Sequence, residues 1–113
     1  MIEAMRRADL ILSDSGGVQE EAPALGVPLL VLRTATERPE CVAAGNALLV
    51  GTGTEEIIDA VDRLLADRAQ LAAMTIPRLP FGDGQSAPRF AELTLDWLAA
   101  RTLVSSLARR AGA

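Results

Sequence analysis

The sequence predicts an α/β domain of about three parallel strands, with flanking helices and a long C-terminal helix. Three apolar runs are too short for helices and are bounded by turn formers, which is typical of buried strands. These runs are Leu10-Ile11-Leu12, Leu29 to Leu32 and Leu48 to Val50. Helical patterns lie between them, and a strand–helix–strand order favours parallel pairing. At 113 residues, half of them hydrophobic, the chain can bury one modest core.

The first elements follow closely along the chain. Met1 to Ala8 predicts the end of a helix, because its apolar residues are three apart. After the first strand, the turn Ser13-Asp14-Ser15-Gly16-Gly17 leads into a short helix from Val18 to Leu25, which Gly26 ends. Pro23 removes one backbone donor, so we expect it to tighten, bend or shorten this helix.

The second half of the chain is predicted to be mainly helical. Thr36 is the expected N-cap of a short helix with Pro39 near its start, and Thr54 is the expected N-cap of a longer one. Pro88 is expected to begin the last helix, and the polar extension 102–113 is expected to fray. Apolar stripes predict the buried faces of the two longer helices: Ile57, Val61, Leu64 and Leu65 in one, and Phe90, Leu93, Trp97 and Leu98 in the other.

Composition excludes several chemistries. All eleven basic residues are arginine, so no lysine is available for a Schiff base and no histidine for a catalytic triad. One cysteine and no histidine make a metal site improbable, and no cofactor is expected. The net charge of −4 argues against nucleic-acid binding. Lone Cys41, no membrane-length apolar run and no signal-peptide pattern favour a cytoplasmic protein without a membrane partner.

The glycine turn has the chemistry of an anion site. Free N–H groups and the positive end of a helix dipole attract a phosphate, and the hydroxyl of Ser15 can cap the helix or bind a phosphate oxygen. Glu20 and Glu21 follow in the first turns, where a carboxylate can accept hydrogen bonds from a ribose diol. The residues alone leave two readings open: a nucleotide site, or a tight turn with solvated glutamates. The two common nucleotide fingerprints are absent.

The string DSGGVQEEAPALGVPLLVLRTATERPE at residues 14–40 resembles the non-hydrolysing bacterial UDP-N-acetylglucosamine 2-epimerases. The resemblance resumes at residues 49–52 and 81–85 and covers nearly the whole chain. It implies a partial Rossmann-like C-terminal domain of a GT-B fold at residues 1–101, incomplete at its N-terminus. The family interconverts UDP-GlcNAc and UDP-ManNAc by eliminating UDP to form 2-acetamidoglucal and adding it back with inverted stereochemistry at C2.

The resemblance also implies a set of UDP contacts. Ser15, Gly16 and Gly17 are expected at the diphosphate, Glu21 on the ribose hydroxyls, and Arg38 as the nucleotide-contacting arginine. Arg33 does not match the family position. Glu37 could hold the arginine in place, and Glu20 is expected to be a solvated or supporting carboxylate. The Phe81-Gly82-Asp83-Gly84 turn is either a second ligand-facing turn or the turn that launches the last helix.

The resemblance implies that the catalytic groups lie in an N-terminal domain, so no catalytic residue is assigned here and the isolated chain is expected to be inactive. A truncation, a mis-called start and a short gene would all give this chain. The expected partners are UDP-GlcNAc or UDP, together with a separate N-terminal domain or a homodimer. Alternatives are a non-catalytic nucleotide-sugar-binding module, an inactive remnant and, less favoured, a GT-B glycosyltransferase.

Overall fold

The structure is a computed structural model that describes residues 1–112, and the chain divides into two compact units. The first unit is Met1–Phe81, and the second begins at Gly82. The elements are α1 (Ile2–Arg6), β1 (Ile11–Ser13), α2 (Gly16–Leu25), β2 (Leu29–Val31), α3 (Pro39–Ala43), β3 (Ala47–Leu49), α4 (Thr54–Ala66), α5 (Arg68–Met74) and α6 (Ser86–Ala111). All of them except α6 belong to the first unit.

The predicted parallel sheet is confirmed. Its strand order is β1-β2-β3, with Ile11 opposite Leu29 and Leu29 opposite Ala47. Each strand has three residues, and β1 and β3 are shifted by one position from the predicted apolar runs. Because the carboxyl ends of parallel strands lie at one edge of a sheet, the segments after β1 and β2 emerge side by side.

The central strand β2 has a packed layer on each face. Leu29 and Val31 point to one face and Leu30 to the other, as the two-residue period of a strand requires. All three are fully buried, which explains why β2 is a continuous apolar run. The first layer adds Met5, Val18, Ala22, Cys41 and Ala47, and the second adds Leu64 and Met74.

The end of α2 was predicted correctly, and Pro23 does not shorten the helix. Gly26 adopts a left-handed conformation, with φ of +66°, and ends the helix. The helix nevertheless continues past Pro23 to Leu25 and is not shortened at its midpoint. Pro23 is buried, and its carbonyl accepts hydrogen bonds from the N–H groups of Gly26 at 3.2 Å and Arg78 at 2.9 Å. These contacts tie the end of α2 to the segment after α5.

Two local predictions for α4 are wrong. Thr54 is the first helical residue rather than the N-cap, which is Gly53. The carboxylate of Glu56, the third helical residue, accepts the N–H of Gly53 at 3.1 Å, which is the half of a capping box that does not require a side chain at the N-cap. Of the predicted stripe, Leu64 is buried and Val61 packs against the same cluster, whereas Leu65 is exposed.

In the second unit, α6 is one continuous helix that passes residue 102 without a break and ends at Ala111. Its predicted core-facing stripe is wrong for this chain, because no residue of α6 is buried and Trp97 is 55% exposed. A single helix has no second element in its own unit on which to bury an apolar face. Fraying beyond residue 102 stays a prediction. Across residues 1–112, no helix combines the length and the apolar character that a membrane span requires.

Candidate functional site

The turn between β1 and α2 leaves the start of a helix open. Ser15 occupies the N-cap position, but its hydroxyl makes no capping hydrogen bond. Its own N–H donates to Ser13 Oγ at 3.1 Å, and its carbonyl accepts the N–H of Gln19 at 3.2 Å. The N–H groups of Gly16 and Gly17 have no acceptor anywhere in residues 1–112. The helix terminus therefore presents unused donors, together with a free hydroxyl, at its positive end.

Arg38 lies directly against this helix terminus. A Cβ atom built on Gly16 would be 2.9 Å from Arg38 Cζ and 3.0 Å from its Nη1. Real Cβ atoms do not approach other heavy atoms so closely, so the guanidinium occupies space that only glycine leaves open. Gly16 and Arg38, 22 positions apart in the chain, thus adjoin at the start of α2, where the guanidinium lies beside the positive end of the helix.

Two carboxylates hold the Arg38 guanidinium. Its Nε donates to Glu20 Oε1 at 2.5 Å, and its Nη1 donates to Glu37 Oε1 at 2.7 Å. The hydrogen bond that Arg38 donates to Glu20 is the main cause of a pKa of Arg38 above its usual value. Arg33 pairs with the other oxygen of Glu37 at 2.5 Å, away from Gly16. Arg38 is thus the arginine found against Gly16, and Glu37 does contact it; which arginine contacts the nucleotide stays a prediction.

Glu21 differs from its neighbour Glu20. It lies four residues after Gly17 on α2, so the two share one face of the helix. Its Oε2 atom is inaccessible to solvent and has no hydrogen-bond partner within the described part of the chain. A buried, unpaired carboxylate oxygen is unfavourable, and a turn of the side chain that brought it to a donor would remove that cost.

Sequence reasoning missed one buried link in this site. Gln19 is fully buried; its Oε1 accepts from the Thr36 hydroxyl, and its Nε2 donates to the Ser15 carbonyl at 3.4 Å. The predicted N-cap role of Thr36 is wrong, because Arg38 is the N-cap residue of α3 and Thr36 Oγ1 accepts its N–H at 3.1 Å. Pro39 begins the helix as predicted. The available signal was a glutamine on the buried face of a helix, since a buried amide requires partners.

Two other candidate features have structural roles. Asp83 binds Arg89 through both carboxylate oxygens, at 2.9 and 2.7 Å, and accepts the N–H of Gln85 at 3.0 Å. Arg89 lowers the pKa of Asp83, and these contacts favour the reading of this turn as the start of α6. Cys41 is buried, and burial raises the pKa of its thiol, which argues against a nucleophile. No cluster of metal-binding side chains is found in residues 1–112.

A family model described as UDP-N-acetylglucosamine 2-epimerase matches residues 1–95. The chain belongs to the UDP-N-acetylglucosamine 2-epimerase family. It is 53% identical over 88 residues to the UDP-N-acetylglucosamine 2-epimerase of Escherichia coli K12, an alignment that covers 78% of this chain and 23% of that protein. The chain thus spans about a quarter of the length of the curated relatives it matches.

Solved structures agree with this epimerase assignment. The UDP-GlcNAc 2-epimerase of Neisseria meningitidis bound to UDP-GlcNAc matches with a TM-score of 0.78 and 45% identity over 83% of this chain and 25% of that one. The S. aureus MnaA–UDP co-structure matches with a TM-score of 0.79 and 38% identity over 85% and 26% of the two chains. These neighbours are GT-B epimerases, so the predicted fold is confirmed.

The five predicted UDP-binding residues of this epimerase-family chain are arranged around the start of α2. Ser15 holds the N-cap position, Arg38 packs on Gly16, and Gly17 shares a helix face with Glu21. The assignment of individual UDP contacts to these residues stays a prediction.

Proposed function

We propose that this chain is the C-terminal UDP-binding portion of a UDP-N-acetylglucosamine 2-epimerase, an isomerase that interconverts UDP-GlcNAc and UDP-ManNAc. The observation that carries the proposal is the Arg38 guanidinium packed on Gly16 at the open N-terminus of α2. Family membership and the resemblance to complexes with UDP-GlcNAc and UDP support it. A cytoplasmic location and a role in cell-envelope polysaccharide synthesis belong to the same proposal.

The diphosphate would bind over the surface that the helix terminus and the arginine form together. The N–H groups of Gly16 and Gly17 and the hydroxyl of Ser15 would donate to it. Arg38 would also donate, because a guanidinium has five N–H donors and the contacts with Glu20 and Glu37 use two of them. The diphosphate can therefore bind while both carboxylates continue to hold the arginine.

The ribose would pair with Glu21. Oε2 of this side chain is unpaired but shielded from solvent in the free protein, so the carboxylate would turn towards the ligand and accept from a ribose hydroxyl, a donor of the right kind. This contact would fix the nucleoside end of the ligand, whereas the helix terminus and Arg38 fix the phosphate end. Two separate subsites predict separate effects on UDP and on uridine.

In the proposed reaction this part of the enzyme would hold UDP as a leaving group. Negative charge grows on the diphosphate when the anomeric C–O bond breaks, and the helix terminus and Arg38 would stabilise it. Proton transfer at C2 requires an acid–base group, and the 113 residues contain no histidine, lysine or tyrosine. The two carboxylates beside Arg38 already bind that arginine. We therefore expect the isolated chain to bind UDP without epimerising UDP-GlcNAc.

The test is calorimetry of UDP and uridine binding to the purified chain, once it is shown to be folded and monodisperse. Arg38→Ala should weaken UDP binding more than uridine binding, because only UDP carries phosphates. Arg33→Ala is the matched control: it removes the same charge from an arginine that contacts Glu37 and not Gly16. Equal losses of UDP and uridine affinity in Arg38→Ala would contradict the diphosphate role. Turnover of UDP-GlcNAc by the isolated chain, measured in parallel, would contradict the expectation that it binds UDP without epimerising the sugar.

A further inference from the structure

We propose that Gln19 is a positioning residue of the diphosphate subsite, which fixes Arg38 against the helix terminus through the hydroxyl of Thr36. The inference rests on the proposed UDP site and deepens it. Gln19 is one of two polar residues among the buried side chains of residues 1–112, and it lies in the first turns of α2. Its place in the site is therefore internal, below the surface that would contact the ligand.

A continuous series of hydrogen bonds joins the two sides of the subsite. On α2, the side-chain nitrogen Nε2 of Gln19 donates to the Ser15 carbonyl at 3.4 Å. In the segment between β2 and α3, the Thr36 hydroxyl donates to the side-chain oxygen of Gln19 and accepts the N–H of Arg38 at 3.1 Å. The residues at the two ends of this series, Ser15 and Arg38, are both expected to contact the diphosphate.

The side-chain ion pairs of Arg38 are poor candidates for this positioning role. Glu20 and Glu37 are 47% and 56% exposed, so water and salt screen their attraction for the guanidinium. The Gln19 amide is shielded from water, and breaking its bond to Thr36 would leave a buried polar group unpaired. The buried hydrogen bond between Gln19 and Thr36 is therefore the stronger restraint on the position of the Arg38 backbone.

The position of that backbone determines the ligand preference. Arg38 is the N-cap residue of α3, and no regular element lies between it and the end of β2. Without the Gln19–Thr36 bond, the segment loses its buried attachment to α2, and the guanidinium can move away from Gly16. Binding of the phosphates should then weaken, whereas the nucleoside subsite at Glu21 should be unaffected.

The test uses the full chain with Gln19→Leu, Thr36→Val and the double variant. Gln19→Leu removes the acceptor of the Thr36 hydroxyl, whereas Thr36→Val leaves both the Gln19 amide oxygen and the Arg38 N–H unpaired, so each change should lower stability in urea unfolding. The double variant removes the buried Gln19–Thr36 pair and should recover the part of the stability that the unpaired amide oxygen costs. If Gln19 is a positioning residue, the preference of the double variant for UDP over uridine should remain about tenfold lower than that of the wild type, as loss of one hydrogen bond predicts. Recovery of the UDP preference together with stability would overturn the proposal.

A second arm asks whether Gln19 acts through Arg38. In an Arg38→Ala background, Gln19→Leu should cause no further loss of UDP affinity, and a further loss equal to that in the wild type would overturn the inference. Hydrogen exchange at the Arg38 amide needs no ligand and should be faster in Gln19→Leu. Unchanged exchange would overturn the inference about Gln19, whether or not the chain binds UDP. Absence of UDP binding would instead refute the proposed function.

Discussion

Replacing Gly16 with alanine would place a methyl group where the Arg38 guanidinium now lies. The new Cβ would be 2.9 Å from Arg38 Cζ, whereas non-bonded carbon atoms are most stable about 3.5–4.0 Å apart. The guanidinium must therefore retreat by roughly 0.5–1 Å from the helix terminus. The moving group is the end of a flexible side chain that is partly exposed, so the folded state should lose little stability.

The expected loss in binding is much larger than the loss in stability. A hydrogen bond to a charged group contributes about 1.5–3 kcal/mol, which corresponds to roughly a ten- to hundredfold change in the dissociation constant for UDP. Uridine lacks the phosphates, so its affinity should change little. Calorimetry with both ligands measures the difference, and urea unfolding measures the stability of the variant.

Gly17→Ala is the matched control for stability and for the position of Arg38. It makes the same exchange in the first turn of α2, but its Cβ would meet only Ser15 Oγ at 3.9 Å. Both variants should unfold with similar free energies, and only Gly16→Ala should shift the NMR resonance of the Arg38 Nε–H group. An unchanged resonance and an unchanged preference for UDP in Gly16→Ala would refute the reasoning.

Three further predictions concern other parts of the chain. Glu21→Ala should weaken UDP and uridine binding by the same factor, about 1–3 kcal/mol, because both ligands carry the ribose; a calorimetric loss confined to UDP would contradict this. Arg89→Ala should raise the pKa of Asp83 towards its ordinary 3.8, as carboxyl NMR titration would show. Because the folded-state pKa is lowered, this ion pair stabilises the fold above the ordinary pKa, and that contribution is lost as the pH falls through the lowered value. Gly26→Ala should lower the unfolding free energy by roughly 2 kcal/mol or more, since φ is +66° and the new Cβ would lie 2.5 Å from the Thr75 carbonyl oxygen; an unchanged urea midpoint would argue against this.

The sheet could be predicted from the sequence because its signals are local. The apolar run from Leu29 to Val31 is short, sits between turn formers and is buried on both faces, which is characteristic of a central parallel strand. Helix starts were predicted less well. The choice between Thr54 and Gly53 as N-cap depends on backbone angles and on the carboxylate of Glu56, which residue type alone does not reveal.

Periodicity predicted an apolar face on α6 but could not say whether anything covers it. The spacing of Phe90, Leu93 and Trp97 indicates an amphipathic helix, yet all three are exposed in this chain. The spacing of apolar residues depends on the helix alone, so it carries no information about the surface that would cover it. The expected homodimer stays a prediction.

For the site, the resemblance supplied the residue set and the structure supplied the geometry. Residue spacing could not show that Arg38 packs on Gly16, because this contact joins the segments after two different strands. Glu20 and Glu21 are adjacent in sequence, but successive helix positions differ by about 100°, so one contacts Arg38 and the other has an unpaired oxygen. The Gln19 link was missed for the same reason, since its partner is 17 residues away.

The most direct test of the UDP site is an NMR titration of the ¹⁵N-labelled chain with UDP. The account predicts saturable shifts that are largest at the amides of Gly16 and Gly17 and at the Nε–H of Arg38, with uridine shifting Glu21 but not Arg38. A folded chain that shows no saturable shifts, or shifts confined to residues away from the start of α2, would contradict it.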